Sequence, residues 1–245
     1  MDELDFTGRT VLVIGGSSGI GNGIARAFLR KGAEVHVWGT RAAPSDYADS
    51  PGSDLDGLRY SQVDVASRAA IDDWTPPFER LDVLVQSQGV VLYGRREFEP
   101  EGFAEVLDVN LVSVMLCATK FYPLLKAARG SMIVISSVAA LQSTHGNPAY
   151  NASKAGAYAL TRTLGDAWAP EGIRVNGIAP GLVATKMTRV TTEHPKRLQA
   201  TLASIPLGRL GTPDEMAGVA LFLASPLASY VIGQTIPVDG GLVLR

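Results

Sequence analysis

The sequence predicts an α/β protein built on one doubly wound parallel sheet with helices on both faces. Three observations carry that expectation. Strand-like and helix-like apolar patterns alternate along the chain. The first strand runs into a glycine cluster and then a helix. The 245 residues, 46% of them apolar, suffice for a large core in a single domain over 1–245.

The elements follow in order. TVLVIGG reads as a buried strand ending in a turn, and GIGNGIARAFLRKGA as a helix with Ile20, Ile24, Ala27 and Phe28 on one face, stopped at Gly32. VHVW is a second strand, so the chain opens β-α-β, the unit of a parallel sheet. LRYSQVDV and LDVLVQSQG are the third and fourth strands, a long helix is expected from about Glu101 to Lys126, and SMIVISS is the fifth strand. In PAYNASKAGAYALTRTLGDAWA, Asn147 suits the N-cap and Pro148 the first helical position. IRVNGIAPG is the sixth strand, PDEMAGVALFLAS a late helix, and QTIPVDGG a last strand with a turn. TRAAPSDYADSPGSDLDG reads as a loop. The stretch after the sixth strand reads either as a lid of short helices over about 183–210 or as an ordinary surface insertion.

Composition narrows the function. Lys plus Arg number 22 and Asp plus Glu 24, a formal net charge of −2, so no global basic field is present to hold nucleic acid or an anionic membrane. MDELDF is acidic and has no basic flank before an apolar run, and no apolar run is read as approaching the roughly 20 residues that span a bilayer. Cys117 is alone, so neither an intrachain disulfide nor a thiolate zinc site is expected, a reducing cytoplasm is the default compartment, and Cys117 itself reads as core. His36, His145 and His194 show no ligand spacing, and no metal is expected.

The glycine cluster Gly15, Gly16, Ser17, Ser18, Gly19, Ile20, Gly21 lies between strand and helix. Glycine lets a phosphate approach the backbone, and a helix start offers free N–H groups, so this context points to a dinucleotide. The second strand ends in Trp38, Gly39, Thr40, Arg41, with no carboxylate for an adenosine ribose and with Arg41 placed to meet a 2′-phosphate. NADP(H) is therefore favoured, with NAD(H) as the alternative. Tyr150 and Lys154 stand four apart on a predicted helix, so they share one face. A phenol beside an ammonium, and beside an oxidised nicotinamide ring when one is bound, is a general acid with a lowered pKa.

Together these residues resemble the classical short-chain dehydrogenase/reductase family, over nearly the whole chain. Gly15, Gly19 and Gly21 fall at its three glycine positions, Asp64 with Val65 where it meets the adenine, and Asn110 where it bends the long helix and anchors a water. Ser137, Tyr150 and Lys154 match its remaining catalytic members, and PGLVAT, with Pro180, Gly181, Val183 and Thr185, its nicotinamide-carboxamide segment. IGQTIPVDGG matches its C-terminal signature. The family commonly reads Thr before the first glycine and Asn-Asn-Ala-Gly after the fourth strand, whereas here Ile14 and Gln86, Ser87, Gln88, Gly89 stand there. The resemblance implies a Rossmann-type fold, cofactor contacts that also include Ser17, Ser18, Ile20, Thr40, Gln88 and Gly89, and a homotetramer. Its interfaces would be the Tyr150 helix with the long helix before it, and the late helix with the last strand.

The implied activity is hydride transfer between NADP(H) and a small-molecule carbonyl or secondary alcohol. Tyr150 is the proton donor, Ser137 steadies the reacting oxygen, Lys154 also holds the nicotinamide ribose, and Asn110 holds a relay water. Gln142, His145 and Asn147 on one side and Tyr93, Arg95 and Arg96 on the other are candidate substrate contacts. Such a polar pocket suits a keto sugar acid or polyol. The alternative is a 3-oxoacyl-[acyl-carrier-protein] reductase, whose acidic carrier would need basic residues by the cleft, with Lys126, Arg129 and Arg162 as candidates. A non-catalytic cofactor-binding sensor or scaffold is the reading of another class.

Overall fold

The structure is a computed structural model that describes residues 3–244. Seven strands form one sheet: β1 Thr10–Ile14, β2 Glu34–Gly39, β3 Arg59–Gln62, β4 Val83–Gln86, β5 Ser131–Ile135, β6 Arg174–Pro180 and β7 Thr235–Val238. Every pairing is parallel and the spatial order is β3-β2-β1-β4-β5-β6-β7. The order reverses at β1, which lies between β2 and β4. In such sheets ligands bind beyond the carboxyl ends of the strands at that reversal.

The helices are α1 Gly19–Arg30, α2 Arg68–Asp73, α3 Pro100–Leu107, α4 Ser113–Ala128, α5 Pro148–Trp168, α6 Arg189–Thr192, α7 Pro195–Ser204 and α8 Pro213–Ala224. Successive strand side chains point to opposite faces. Val11 and Val13 of β1 join Ile24 and Phe28 of α1 and Ala217 and Ala220 of α8 in one core, while Leu12 and Ile14 join Cys117 and Phe121 of α4 on the other face. Cys117 is fully buried as read, and burial pushes its thiol up to about 12.

The expected long helix exists but is not uniform. Between α3 and α4, Asp108–Val112 forms one π turn with Asn110 inside it. A π turn widens the helix by one residue and is a frequent mark of functional sites. The whole run Pro100–Ala128 is 29 residues long, with a mean hydropathy of 1.5 over its most apolar 18. This corrects the expectation that no apolar run approaches bilayer length. Here its buried face (Val114, Cys117, Ala118, Phe121, Leu125) packs against the sheet.

Other differences are local. α2, in a stretch to which the sequence assigns no element, is six residues long and starts on Ser67, whose hydroxyl accepts from the Ala70 N–H. The polar loop after β2 holds a 3-10 turn over Pro44–Tyr47 that buries Tyr47. The segment after β6 consists of short helical pieces, a 3-10 turn at Lys186–Thr188 followed by α6 and α7.

Candidate active site

A cleft of about 500 Å³ opens at the carboxyl ends of the strands. Its floor is the turn between β1 and α1. Gly15 has φ of +72°, and a Cβ there would lie 2.8 Å from the Gln88 nitrogen. A Cβ on Gly21 would lie 2.3 Å from the Gly15 carbonyl oxygen. Only hydrogen fits at either position, so the turn can hug α1 and leave a bare cradle. Ser18 precedes α1 without a side-chain capping bond, and the first turn carries no acid. A helix start left so, facing a cleft, suits an anion. The residues present therefore fit a dinucleotide pyrophosphate.

The cleft is lined by Gly15, Ser17, Ser18, Gly19, Ile20, Gly21, Thr40, Asp64, Val65, Gln88, Gly89, Tyr150, Lys154, Pro180, Gly181, Val183 and Thr185, all named from the sequence as cofactor contacts. Arg41 lies next door. It lines an adjoining pocket of about 300 Å³ with Ser17, Ser18, Ser50, Ser53, Lys186 and Arg189. The Arg41 guanidinium stacks 4.4 Å over the Tyr47 ring and donates to Ser50 Oγ at 2.9 Å. The Ser53 hydroxyl is buried there with no hydrogen-bond partner. Buried hydroxyls are rarely left unpaired without reason, so the pocket has spare polar capacity beside cations.

At the other end stand Ser137, Tyr150 and Lys154. Ser137 follows β5 and is 8% exposed, with its Oγ accepting from the Ala139 N–H at 3.1 Å. Lys154 is 4% exposed and donates from Nζ to the Ile135 carbonyl at 2.9 Å. Burial pushes its pKa down to about 8. The Tyr150 pKa is raised: burial is the main cause, Ser137 opposes it by hydrogen bonding, and Tyr93 and Glu97 add to it. The expectation of a phenol lowered by Lys154 is thus corrected. Lys154 Nζ lies 5.7 Å from the Tyr150 ring centre, and burial, not Lys154, governs the shift.

Asn110 is fully buried behind the cleft. Its side chain accepts from the Val90 N–H at 2.8 Å and donates to the Val90 carbonyl at 2.9 Å and to Ser153 Oγ at 3.1 Å. Both N–H donors are used, so the amide locks the strand exit after Gly89 onto α5. Gln86 and Gln88, which replace the family's usual residues, bond to each other, and Gln86 continues to the Val114 carbonyl and Gln88 to Ser113.

The candidate substrate contacts do not line the cleft. Gln142 and His145 are exposed on the loop before α5. Arg95 stacks 4.6 Å over Phe98, and Arg96 pairs with Glu105 at 3.4 Å. Tyr93 donates its hydroxyl to the Met187 carbonyl at 2.9 Å, joining the loop after β4 to the segment after β6. Asn147 precedes α5 but its side chain caps nothing there; it donates to the Leu92 carbonyl at 3.1 Å and to Glu97 at 3.0 Å. Beside Gly89, Val90 and Met187 the cleft is lined by Lys186 and Thr188, so its polar wall comes from the segment after β6 and not from the candidates read from the sequence. Among the described residues no group of three or more His, Cys, Asp or Glu is placed to hold a metal.

Sequence reasoning missed Glu97. It is 0% exposed, and its carboxylate accepts from the Leu92 N–H at 2.9 Å, Asn147 Nδ2 at 3.0 Å and the Tyr150 N–H at 2.9 Å. No local signal reveals it, because Tyr150 lies 53 residues further on.

Comparison with known proteins agrees with this architecture. A family model described as enoyl-(acyl carrier protein) reductase matches residues 14–243. The chain is 37% identical to a 3-oxoacyl-[acyl-carrier-protein] reductase of Chlamydia pneumoniae, over 98% of this chain and 99% of that one. It is 36% identical to a 2-dehydro-3-deoxy-D-gluconate 5-dehydrogenase of Bacillus subtilis, over 100% and 98%. The crystal structure of a putative 2-deoxy-D-gluconate 3-dehydrogenase from Agrobacterium tumefaciens with bound NADP superposes with a TM-score of 0.89 at 34% identity, covering 100% of both chains. The glycine cradle, the Ser137–Tyr150–Lys154 cluster and these full-length likenesses place the chain in the classical short-chain dehydrogenase/reductase family.

Proposed function

We propose that this oxidoreductase interconverts a ketone and a secondary alcohol with NADP(H), and that its substrate is a keto sugar acid or polyol. One observation carries the reaction: Ser137, Tyr150 and Lys154 share a cleft with the glycine cradle. Gly15, Gly19 and Gly21 would hold the pyrophosphate, Asp64 and Val65 the adenine side, and Lys154, Pro180, Gly181, Val183 and Thr185 the nicotinamide side. When bound, the cofactor supplies the hydride. Tyr150 passes its phenolic proton to the carbonyl oxygen in reduction and recovers it in oxidation. Ser137 donates to the same oxygen and stabilises its developing charge. Lys154 stands beside Tyr150 to relay its proton, and Asn110 fixes the backbone through which a water joins Lys154 to solvent.

For the 2′-phosphate, support comes from the Arg41 pocket with its unpaired Ser53 hydroxyl and with Lys186 and Arg189 facing it. The segment over 183–210 acts in this reading as a lid on a single-domain enzyme over 1–245. The substrate class is supported by the gluconate-type relatives and by a topological point. Lys126 and Arg129 lie at the end of α4, before the first residue of β5, whereas the cleft lies beyond the last residue of β5. Lys126 is moreover paired with Glu171 at 3.0 Å. These cations are at the wrong end of the sheet to guide an acidic carrier to Tyr150.

A second reading, 3-oxoacyl-[acyl-carrier-protein] reductase, is favoured by the Chlamydia relative. Following NADPH oxidation with 5-ketogluconate and, in parallel, acetoacetyl thioester separates the two, with NADH as cofactor control. Turnover of the keto acid, faster with NADPH than with NADH, is expected. Turnover of the thioester alone would reject the sugar-acid reading, and cofactor binding without turnover of any carbonyl would favour the sensor.

The reading extends to a homotetramer in the cytoplasm. Val112 and Met115, at the start of α4, are 46% and 41% exposed, as is Leu227, just beyond α8, at 55%; these are apolar surfaces that partner copies would cover. A monomer in sedimentation equilibrium would remove that assembly. A reducing compartment matches the single buried Cys117.

A further inference from the structure

Glu97 stands out among the buried groups that the reaction scheme leaves unused. A fully buried carboxylate normally pairs with a cation. Glu97 makes no ion pair among the described residues, although it lies beside two arginines. Arg95 is drawn over Phe98 and Arg96 to Glu105. Its three partners are instead all N–H donors, the pattern of a carboxylate acting only as an acceptor. Two of those donors come from the start of α5: the Asn147 side chain and the backbone N–H of Tyr150, the third residue of the helix. The third is Leu92, next to Tyr93, which reaches the segment after β6 through Met187.

The expected cap on α5 was Asn147. The structure replaces it with a carboxylate from another segment, at the end of the helix where the macrodipole favours a negative charge. A local cap would serve the helix equally well. A cap from the loop after β4 does something more, because it fastens that loop to the residue that carries the reactive phenol.

We propose that Glu97 is a positioning residue of the reaction: its buried carboxylate sets the first turn of α5, and with it the Tyr150 phenol, against the loop after β4, and places a negative charge beside the proton donor. The proposal rests on the reading of Tyr150 as general acid and base. A nearby negative charge disfavours the phenolate. Other groups set the balance at Tyr150: Ser137 bonds to it, Lys154 faces it from α5, and Tyr93 faces it from the loop. α3, which packs against α5, carries Glu101 and Glu105, both exposed.

The test uses Glu97→Gln and Glu97→Asp beside Tyr150→Phe in the full-length enzyme. The readouts are kcat for alcohol oxidation against pH, NADPH affinity by fluorescence titration, and thermal melting. Glu97→Gln lacks the charge and turns one acceptor into a donor. Its kcat is expected to fall roughly tenfold or more while cofactor affinity stays within about twofold. The acid limb of its oxidation profile is expected to move to lower pH by about half a unit or more, because the phenolate forms more readily. Glu97→Asp keeps the charge on a shorter stem, so the limb returns toward wild type while kcat stays reduced. An unmoved limb in Glu97→Gln, a parallel loss of cofactor affinity, or failure of both variants to fold would assign Glu97 to the fold alone and overturn the proposal. Should Tyr150→Phe keep the wild-type rate, the general-acid assignment itself falls and the Glu97 proposal with it. A dead Tyr150→Phe with an unmoved limb in Glu97→Gln rejects only the role of Glu97.

Discussion

Tyr150→Phe is expected to lower kcat by about 10²–10⁴-fold, the range a general acid contributes, while NADPH affinity changes little. The change removes one oxygen. The ring remains to fill the cleft, and the contacts that hold the helix start do not involve that oxygen: the Tyr150 N–H still donates to Glu97, and Lys154 Nζ still donates to the Ile135 carbonyl. The loss should therefore appear in kcat and not in binding, the signature of an interaction used in the transition state. Steady-state kinetics in both directions, with fluorescence titration of NADPH, would check it. A variant within a few-fold of the wild-type rate would remove Tyr150 from the chemistry.

Gly21→Ala should act on the cradle. The new Cβ would lie 2.3 Å from the Gly15 carbonyl oxygen and 3.1 Å from Ser87 Oγ. The first is backbone in a tight turn and has nowhere to retreat, so α1 must move off the turn. Overpacking of this kind costs about 1–3 kcal/mol. Borne by the cofactor site, the upper end of that range is about a 100-fold loss of affinity. Gly146→Ala is the matched control, since a Cβ there meets nothing within 4 Å. NADPH titration of both variants should show a large loss for the first and none for the second. Equal affinities would mean that the pyrophosphate lies elsewhere.

What could be read from the sequence was what repeats locally. Each strand's run of apolar residues, the glycines between β1 and α1, and the four-residue step from Tyr150 to Lys154 are all properties of short segments, and the structure places them as read. The π turn at Asn110 was not visible, because one extra residue in a helical turn barely disturbs an apolar pattern. α2 was missed because six residues, RAAIDD, are too few to show a period. The substrate contacts went astray for a different reason. Gln142, His145 and Asn147 lie between Ser137 and Tyr150 in the chain, yet Gln142 and His145 are exposed and Asn147 commits its amide to Glu97. Glu97 itself, like the meeting of Ser53 with Lys186 and Arg189, depends on segments far apart in sequence.

Lys154 has a consequence for the life of the protein outside catalysis. Burial has pushed its pKa from 10.5 to about 8. At about 1.36 kcal/mol per unit, the charged lysine opposes folding by about 3 kcal/mol. Below pH 8 the penalty is present in full. Between 8 and 10.5 the unfolded chain holds the extra proton, so stability climbs with pH, and above 10.5 the penalty is gone. Melting temperatures from about pH 7 to pH 10 should therefore converge with those of Lys154→Met, starting below them. An identical pH trend in the two proteins would show that the cation is comfortable where it sits. At neutral pH this buried lysine is thus a standing weakness in the scaffold, and a variant that lacks it is expected to be the more durable.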